Sequence, residues 1–266
     1  ISTTTLISEE RKDVMSTSVL FRDDFEINSA GTWTVPFGLL FATAIWVGME
    51  ILSRYVPLLF GSPPLIPVKG KHLDELETID KTFIFINKLF TVTFVYHLIQ
   101  VSCTSPSIAW QPEDLSLANT LGSLLAFYAF YDYFYMWFHY FLHVRWLYPH
   151  IHKHHHRQKA PSRGNLDAIN VHPFEYVVGE YLHLLTIYLI PSHIYTVVFF
   201  IIAGGVLASL NHTRLDLNIP FGVYSVKAHD VHHRLPETNY AQYFMYWDKL
   251  HGFYRPYDPH AKTKDH

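Results

Sequence analysis

The sequence predicts an all-α, integral-membrane helical bundle of about three spans plus a helical hairpin, capped by a histidine-rich helical domain on the cytosolic side. Three observations predict this fold class. Apolar residues make up 49% of the 266-residue chain, and charged residues only 16%. Several apolar runs approach the roughly 20 residues that a helix needs to cross a bilayer. Histidine is unusually common, with 19 residues, and most of them lie in or near three short clusters.

The first three predicted spans are residues 35–52, 83–101 and 117–138. Residues 35–52 contain Glu50 as their only charge, and eighteen residues at about 1.5 Å each nearly match a hydrocarbon core of roughly 30 Å. Residues 117–138 contain Asp132 as their only charge and run directly into the first histidine cluster. Each of the three runs is therefore a candidate transmembrane helix.

Two shorter apolar runs, 176–190 and 195–210, flank Pro191 and predict a hairpin that enters the membrane and returns. The distribution of Lys and Arg tests this topology, because these residues are in excess in cytosolic loops. They number four in 53–82, none in 102–116, five in 139–175 and seven in 211–266. The predicted crossings place all three segments rich in Lys and Arg on one side, together with the histidine clusters. A soluble protein with unusually apolar buried helices is the alternative.

The chain has no linker rich in Gly, Ser or charge, so we expect one membrane-embedded domain over residues 35–266, with the histidine region within 132–255. Residues 1–34 hold nine charges and predict a polar arm that could contact partners in a membrane complex. The net charge of −3 and the dispersed basic residues argue against nucleic acid as a partner. Cys103 is the only cysteine, which excludes an internal disulfide and a metal site built from several thiolates.

Three histidine clusters are the candidate chemical groups. One has the pattern His-x-x-x-His and two share the pattern His-x-x-His-His: they are His139 and His143, then His152, His155 and His156, then His229, His232 and His233. Histidines three or four residues apart lie on one face of a helix, so each cluster can aim its nitrogens at a common point. Neutral imidazole suits iron, copper and zinc, and this many nitrogens exceed the needs of one tetrahedral zinc ion. Two metal ions are the economical interpretation.

The register of the second cluster is ambiguous, because His150 and His154 are also four residues apart. Helical geometry turns His154 away from the face shared by the other three histidines, so we expect His150 and His154 to be solvated or outside the metal site. Two isolated histidines are further candidates. His212, at the end of the hairpin, is a predicted ligand, and His172, at its start, is a predicted ligand or a neighbour of one.

Acidic residues near the clusters are candidate partners of the ligands. Metal-bound histidines normally donate their second ring N–H group to an acceptor that orients the ring. The predicted acceptors are Asp132, Glu175, Asp216 and Asp230. For each of them, a helix cap or a surface ion pair is the alternative role.

The ordered motifs resemble those of the fatty acid hydroxylase/sterol desaturase superfamily of membrane di-iron oxygenases. Besides the histidines, the resemblance rests on Leu147-Tyr148, His172-Pro173-x-Glu175, Asn239-Tyr240 and Trp247-Asp248. It implies membrane helices capped by a cytosolic domain with two iron ions, with zinc as an alternative occupant in purified protein, and it adds Asn239 to the residues around the ligands. Carried over by position, the implied ligands are His139, His143, His152, His155, His156, His212, His229, His232 and His233, with His172 as a further candidate.

The resemblance also implies an activity. The expected protein is an oxidoreductase that hydroxylates or desaturates a membrane lipid, whether a sterol, a fatty acyl or an alkyl lipid, with O2 and external electrons. The sequence has no His-Pro-Gly-Gly haem-binding segment, so the resemblance implies a separate electron donor such as a b-type cytochrome. The expected location is the endoplasmic reticulum, with the mitochondrial inner membrane as the alternative.

Three other classes of protein compete with the oxygenase. A metal-dependent hydrolase is disfavoured, because the sequence lacks His-Glu-x-x-His. A metal transporter would place its histidines inside the membrane rather than beyond the ends of the spans. The main alternative is a catalytically silent relative that serves as a structural subunit of a larger membrane complex. The choice between hydroxylation and desaturation stays open, because both reactions begin with removal of the same hydrogen atom.

Overall fold

A computed structural model describes residues 35–60, 63–219 and 223–260, and these residues are mostly helical. The predicted all-α fold class is confirmed. The predicted polar arm, residues 1–34, lies outside the described residues, and the single domain over 35–266 stays a prediction. The helices are α1 (Val35–Leu59), α2 (Thr78–Thr104), α3 (Leu117–Leu142), α4 (Asn165–Ala168), α5 (Pro173–Leu189), α6 (Ile194–Asn211), α7 (Val226–Arg234) and α8 (Tyr246–Leu250), with 3₁₀ turns at Pro112–Asp114 and His155–Arg157.

Two pairs of short strands connect the helices. Strand β1 (Ile108–Ala109) lies parallel to β2 (Ser192–His193), with Ile108 opposite Ser192. Strand β3 (Asn218–Ile219) lies antiparallel to β4 (Tyr224–Ser225), with Asn218 opposite Ser225. The first pair joins the loop before α3 to the turn between α5 and α6, and the second leads the chain into α7.

Three helices in the described part of the chain are long and apolar enough to cross a membrane, namely α1, α2 and α6. Helices α1 and α2 contain the first two predicted spans, and α6 contains the second arm of the predicted hairpin. Only 6% of the apolar window of α1 is buried, and Leu39, Leu40 and Ile51 are among its exposed side chains. Large apolar residues exposed along a whole helix indicate contact with lipid rather than with water.

The third predicted span, residues 117–138, forms most of α3, but α3 is not one of these three helices. Its tyrosines and Asp132 lower its mean hydropathy. Helix α3 instead packs against both arms of the hairpin, α5 and α6, and its Phe127, Tyr128 and Tyr131 belong to a buried apolar cluster with Phe200 of α6. These three aromatic residues of α3 therefore pack the interior of the bundle.

Gly164 brings the loop before α4 into close contact with the end of α6. Its N–H group donates to the carbonyl of His212 at 2.9 Å, and its φ of +57° is in the region that favours glycine. A Cβ at this position would lie 3.1 Å from Oγ of Ser209. Glycine thus permits the approach that places His212 beside the histidines of the second cluster.

Candidate metal centre

Nine of the ten predicted histidine ligands come together in two groups, which we name site A and site B. Within each site, one ring nitrogen from every histidine lies within 4.8 Å of those of the others. All of these residues are buried except His143, which is partly buried. Site A contains His139, His143, His152, His156 and His232, and site B contains His155, His212, His229 and His233.

Adjacent histidines in the sequence belong to different sites. His155 lies in site B and His156 in site A, while His232 lies in site A and His233 in site B. Successive residues of a helix point about 100° apart, so neighbouring rings diverge, whereas His229 and His233 are four residues apart and share a face. The spacing within each cluster predicted that its nitrogens would share one point. The structure corrects this, because the second and third clusters each contribute to both sites.

Four histidine rings are oriented by backbone carbonyl groups. The Nδ1 atoms of His139, His212, His232 and His233 lie 2.8, 2.9, 2.7 and 2.9 Å from the carbonyl oxygens of Tyr240, Ala208, Thr238 and Gln158, respectively. A carbonyl oxygen only accepts hydrogen bonds, so each Nδ1 carries the proton. The Nε2 atom of each neutral ring therefore presents its lone pair to the site.

Glu175 orients a fifth ring. The Nδ1 atom of His152 lies 2.8 Å from Oε1 of Glu175, and both side chains are buried. A carboxylate that accepts from a histidine is a common arrangement around metal ions, because it fixes the ring and makes the other nitrogen more basic. Glu175 is thus placed to present Nε2 of His152 to site A.

The Nε2 atoms converge at distances that suit ligands of one ion. In site A, Nε2 of His152 lies 2.9 Å from that of His139 and 3.0 Å from that of His156. In site B, Nε2 of His229 lies 3.1 Å from those of His212 and His233. Two nitrogens that each lie about 2.1 Å from one metal ion, at right angles, are about 3.0 Å apart.

The donor chemistry also fits a cation at each site. Nε2 of His139 and Nε2 of His152 both present lone pairs, and two lone pairs at 2.9 Å repel each other unless a positive charge lies between them. His232 is fully buried, and its Nε2 has no hydrogen-bond partner among the described residues. A buried nitrogen without a partner costs free energy that a metal ion would recover. The residues of both sites therefore fit a bound metal ion.

Burial keeps these histidines in the form that binds metals. Removal from water disfavours the imidazolium ion, and nearby histidines would repel it, so the pKa falls well below its ordinary value. This applies to His152, His155, His156, His229, His232 and His233. The rings stay neutral at pH 7, and neutral imidazole is the form that coordinates a metal ion.

His172, the tenth predicted ligand, lies outside both sites. It caps α5, where its Nδ1 accepts from the N–H group of Phe174 at 3.2 Å, and its ring packs against Phe83. Nδ1 of His172 thus caps the first turn of α5. His150 is exposed, and Nε2 of His154 lies 2.9 Å from Oδ1 of Asn170, so neither belongs to a site.

Four of the five residues predicted beside the ligands contact groups other than a histidine ring. Glu175 is the exception. Asp132 and Asn239 bind backbone groups, while Asp216 and Asp230 pair with basic side chains. Backbone carbonyls take the predicted role of these side chains. Every residue has a carbonyl group, so no pattern of side chains could have identified those that contact the rings.

The Glu175→Gln variant tests the orientation of His152. The amide keeps an acceptor oxygen but loses the charge, so we expect the metal affinity of site A to fall by roughly 10- to 100-fold while site B is unchanged. Titration of the metal-free protein with a metal ion, in the presence of a competing chelator, measures this affinity. The Glu113→Gln variant at an exposed position is the control. Equal weakening of both sites would contradict the assignment.

Comparison with known proteins agrees with this geometry. Residues 124–253 match the family described as fatty acid hydroxylase. The chain is 32% identical over 147 residues to a cholesterol 25-hydroxylase-like protein of Caenorhabditis elegans, covering 52% of this chain and 47% of that protein. It is 31% identical over 150 residues to lathosterol oxidase of Rattus norvegicus, covering 52% and 46%. It is 29% identical over 153 residues to a very-long-chain aldehyde decarbonylase of Oryza sativa subsp. japonica, covering 54% and 50%.

The chain spans about half the length of these curated relatives. No solved structure matches it. The matched segment runs from within α3 to just beyond α8 and includes every histidine of sites A and B. Residues 124–253 therefore form a domain of the fatty acid hydroxylase family.

Proposed function

We propose that this protein is a membrane oxidoreductase that hydroxylates or desaturates a lipid, using O2 and external electrons, with one iron ion in each of sites A and B. The observation that carries the proposal is the pair of buried sites in which neutral histidines converge through Nε2. The relatives are named as a sterol hydroxylase-like protein, a sterol oxidase and an aldehyde decarbonylase. These names support lipid oxidation as the class of reaction.

Two iron ions, when bound, would supply the electrons for reductive activation of O2. The residues of this chain would bind the ions, and the groups around those residues orient the histidine rings. His139, His212, His232 and His233 are fixed by backbone carbonyls, and Glu175 fixes His152. Because the rings are held before a metal ion binds, little reorganisation is needed. Their burial keeps water away from the reacting groups.

The position of the sites suits a lipid substrate. His139 lies near the end of α3, and His212 directly follows α6, one of the helices that can cross a membrane. The ring of Tyr135 in α3 packs against His139 at a centroid distance of 5.5 Å. Apolar helices thus lead directly to both sites, and an alkyl chain or sterol could arrive from the lipid phase. The electron donor, such as a b-type cytochrome, would approach from the water side.

The location proposed with this function is the endoplasmic reticulum, with the mitochondrial inner membrane as the alternative. The catalytically silent structural subunit remains the competing class of protein. Such a subunit has no need of complete metal sites, whereas this chain retains nine converging histidines. The geometry therefore favours the enzyme.

Lipid analysis tests the proposed function. We expect mass spectrometry to show a changed sterol, fatty acyl or alkyl lipid when cells that express the wild-type protein are compared with cells that express His152→Ala. The His150→Ala variant, at an exposed position outside both sites, should match the wild type. The proposal fails if no lipid differs and the purified, folded protein is free of metal and firmly held in a complex.

A further inference from the structure

Two buried carboxylates hold the backbone of residues 240–244, a segment between α7 and α8. Asp248 accepts hydrogen bonds from the N–H groups of Tyr240 and Ala241 at 2.8 and 3.1 Å. Asp132 accepts from the next three N–H groups, those of Gln242, Tyr243 and Phe244. Asp132 and Asp248 are both 0% exposed. Five consecutive backbone N–H groups are thus bound by two side chains.

The path of this segment depends on those two side chains. Residues 240–244 belong to neither a helix nor a strand, so regular secondary structure does not satisfy their backbone groups. Buried N–H groups need acceptors, and a carboxylate that accepts two or three of them is itself stabilised in the interior. Asp132 lies in α3 and Asp248 in α8, and Nε1 of Trp247 donates to the carbonyl of Ala129 at 2.9 Å. The segment is therefore anchored between two elements that are themselves joined.

The start of the segment is fixed as well. Asn239 has a φ of +54°, which residues other than glycine rarely adopt, although asparagine tolerates it better than most. Its Nδ2 donates to the carbonyls of Ala228 and Arg255, and its Oδ1 accepts from the N–H group of Arg255. The chain thus enters residues 240–244 in one defined direction.

Two carbonyls, one in this segment and one just before it, orient two rings of site A. The carbonyl of Tyr240 accepts from Nδ1 of His139, and the carbonyl of Thr238, two residues earlier, accepts from Nδ1 of His232. Asp132 and His139 are seven residues apart in α3, which is close to two helical turns, so both lie on nearly the same face. The ring of Tyr240 also packs against His139 and His232, with centroid distances of 5.7 and 5.8 Å. A shift of this segment would therefore move ligands of site A.

Site B contacts this segment through Asn211, the residue before His212, whose Nδ2 donates to the carbonyl of Gln242 at 2.9 Å, but the carbonyls that orient the rings of site B lie elsewhere. The carbonyls that orient its rings belong to Ala208, for His212, and to Gln158, for His233. We infer that Asp132 and Asp248 are positioning residues of site A, which act through the backbone of residues 238–244 to present Nε2 of His139 and His232 to the metal ion. The inference rests on the proposed metal centre, and it assigns the two aspartates to one site of the two.

Cobalt titration of the metal-free, full-length protein tests this inference. Co²⁺ alone is the probe, because its visible absorption reports the geometry of the coordinating nitrogens without any need for activity. The His143→Ala and His155→Ala variants each remove one histidine, from site A and from site B respectively, and so identify the absorption of each site. With these references, the two sites can be followed separately in every other variant.

The informative variants are Asp132→Asn and Asp248→Asn, which replace one accepting oxygen with a donor that opposes the backbone N–H groups. We expect the cobalt affinity of site A to fall by roughly 10- to 100-fold, with a changed site A spectrum and an unchanged site B. The matched control is Asp167→Asn. Asp167 is also buried and accepts from two backbone N–H groups, those of Ser162 and Arg163, but these do not orient site A.

A purely structural role would give a different result. Asp132→Asn and Asp248→Asn would then lower thermal stability as Asp167→Asn does, yet keep the affinity and spectrum of site A, and the inference would be overturned. It would also be overturned if neither variant folds while Asp167→Asn does, because the effect would then extend beyond site A. If only one of the two variants Asp132→Asn and Asp248→Asn folds, the cobalt affinity and spectrum of site A in that variant decide the question. Absence of cobalt binding by the wild type would remove the metal centre itself, whereas binding without lipid turnover would leave the positioning role intact.

Discussion

The His232→Ala variant is expected to lose one metal ion per protein, and its lipid oxidation should fall by at least the roughly 100-fold that loss of a residue beside a ligand can cause. His232 is 0% exposed, and its Nε2 faces the four other histidines of site A. Alanine removes one of five nitrogens and leaves the remaining lone pairs around an incomplete site. Because the proposed activation of O2 uses both ions, loss of one should stop the reaction rather than slow it in proportion.

Elemental analysis of the purified variant, with lipid products measured in parallel, checks this expectation. The His150→Ala variant is the matched control, because it also removes a histidine from the same region of the protein but at an exposed position. It should retain both ions and full activity. If His232→Ala keeps two ions and wild-type turnover, site A is not a metal site of the kind proposed.

The Asp230→Ala variant should lower the free energy of unfolding by about 3–5 kcal/mol, the usual cost of removing one partner of a buried ion pair. Asp230 lies on α7 and pairs with Nη1 of Arg214 and, at 2.9 Å, with Nε of Arg234. All three side chains are buried, with Arg234 only 1% exposed. The two Nη atoms of Arg234 already lack hydrogen-bond partners among the described residues. Without Asp230, two positive charges would be buried, and no other carboxylate among the described residues forms an ion pair with either of them.

Thermal unfolding of the purified, metal-free protein measures this effect without a contribution from bound ions. The control is Asp216→Ala, which removes the partner of Lys227 at a partly exposed pair with a separation of 2.6 Å. An exposed or partly exposed ion pair contributes about 0–1 kcal/mol, so this variant should unfold close to the wild type. Equal losses of stability in the two variants would show that burial of the Asp230 network does not set its contribution.

Local patterns were sufficient for the helices and for the choice of the histidines. Apolar runs of sufficient length predict helices wherever they occur, and the predicted spans and both arms of the hairpin coincide, to within one residue, with parts of α1, α2, α3, α5 and α6. The spacing of the histidine clusters singled out eight of the nine residues that the structure brings together, and the ninth, His212, was predicted from its position at the end of the hairpin. Both inferences depend on residues that are close along the chain, where the geometry of a helix relates spacing to direction.

The division of the histidines between two sites and the partners of their rings came only from the folded chain. His139 and the carbonyl of Tyr240 are 101 residues apart, and Nε2 of His212 and of His155 are brought to 3.3 Å across 57 residues. Asp132 was predicted to accept from a histidine, but the fold presents it with the N–H groups of residues 242–244. Backbone groups are the same at every position, so which of them meets a given side chain is decided by long-range packing, and spacing along the sequence carries no record of it.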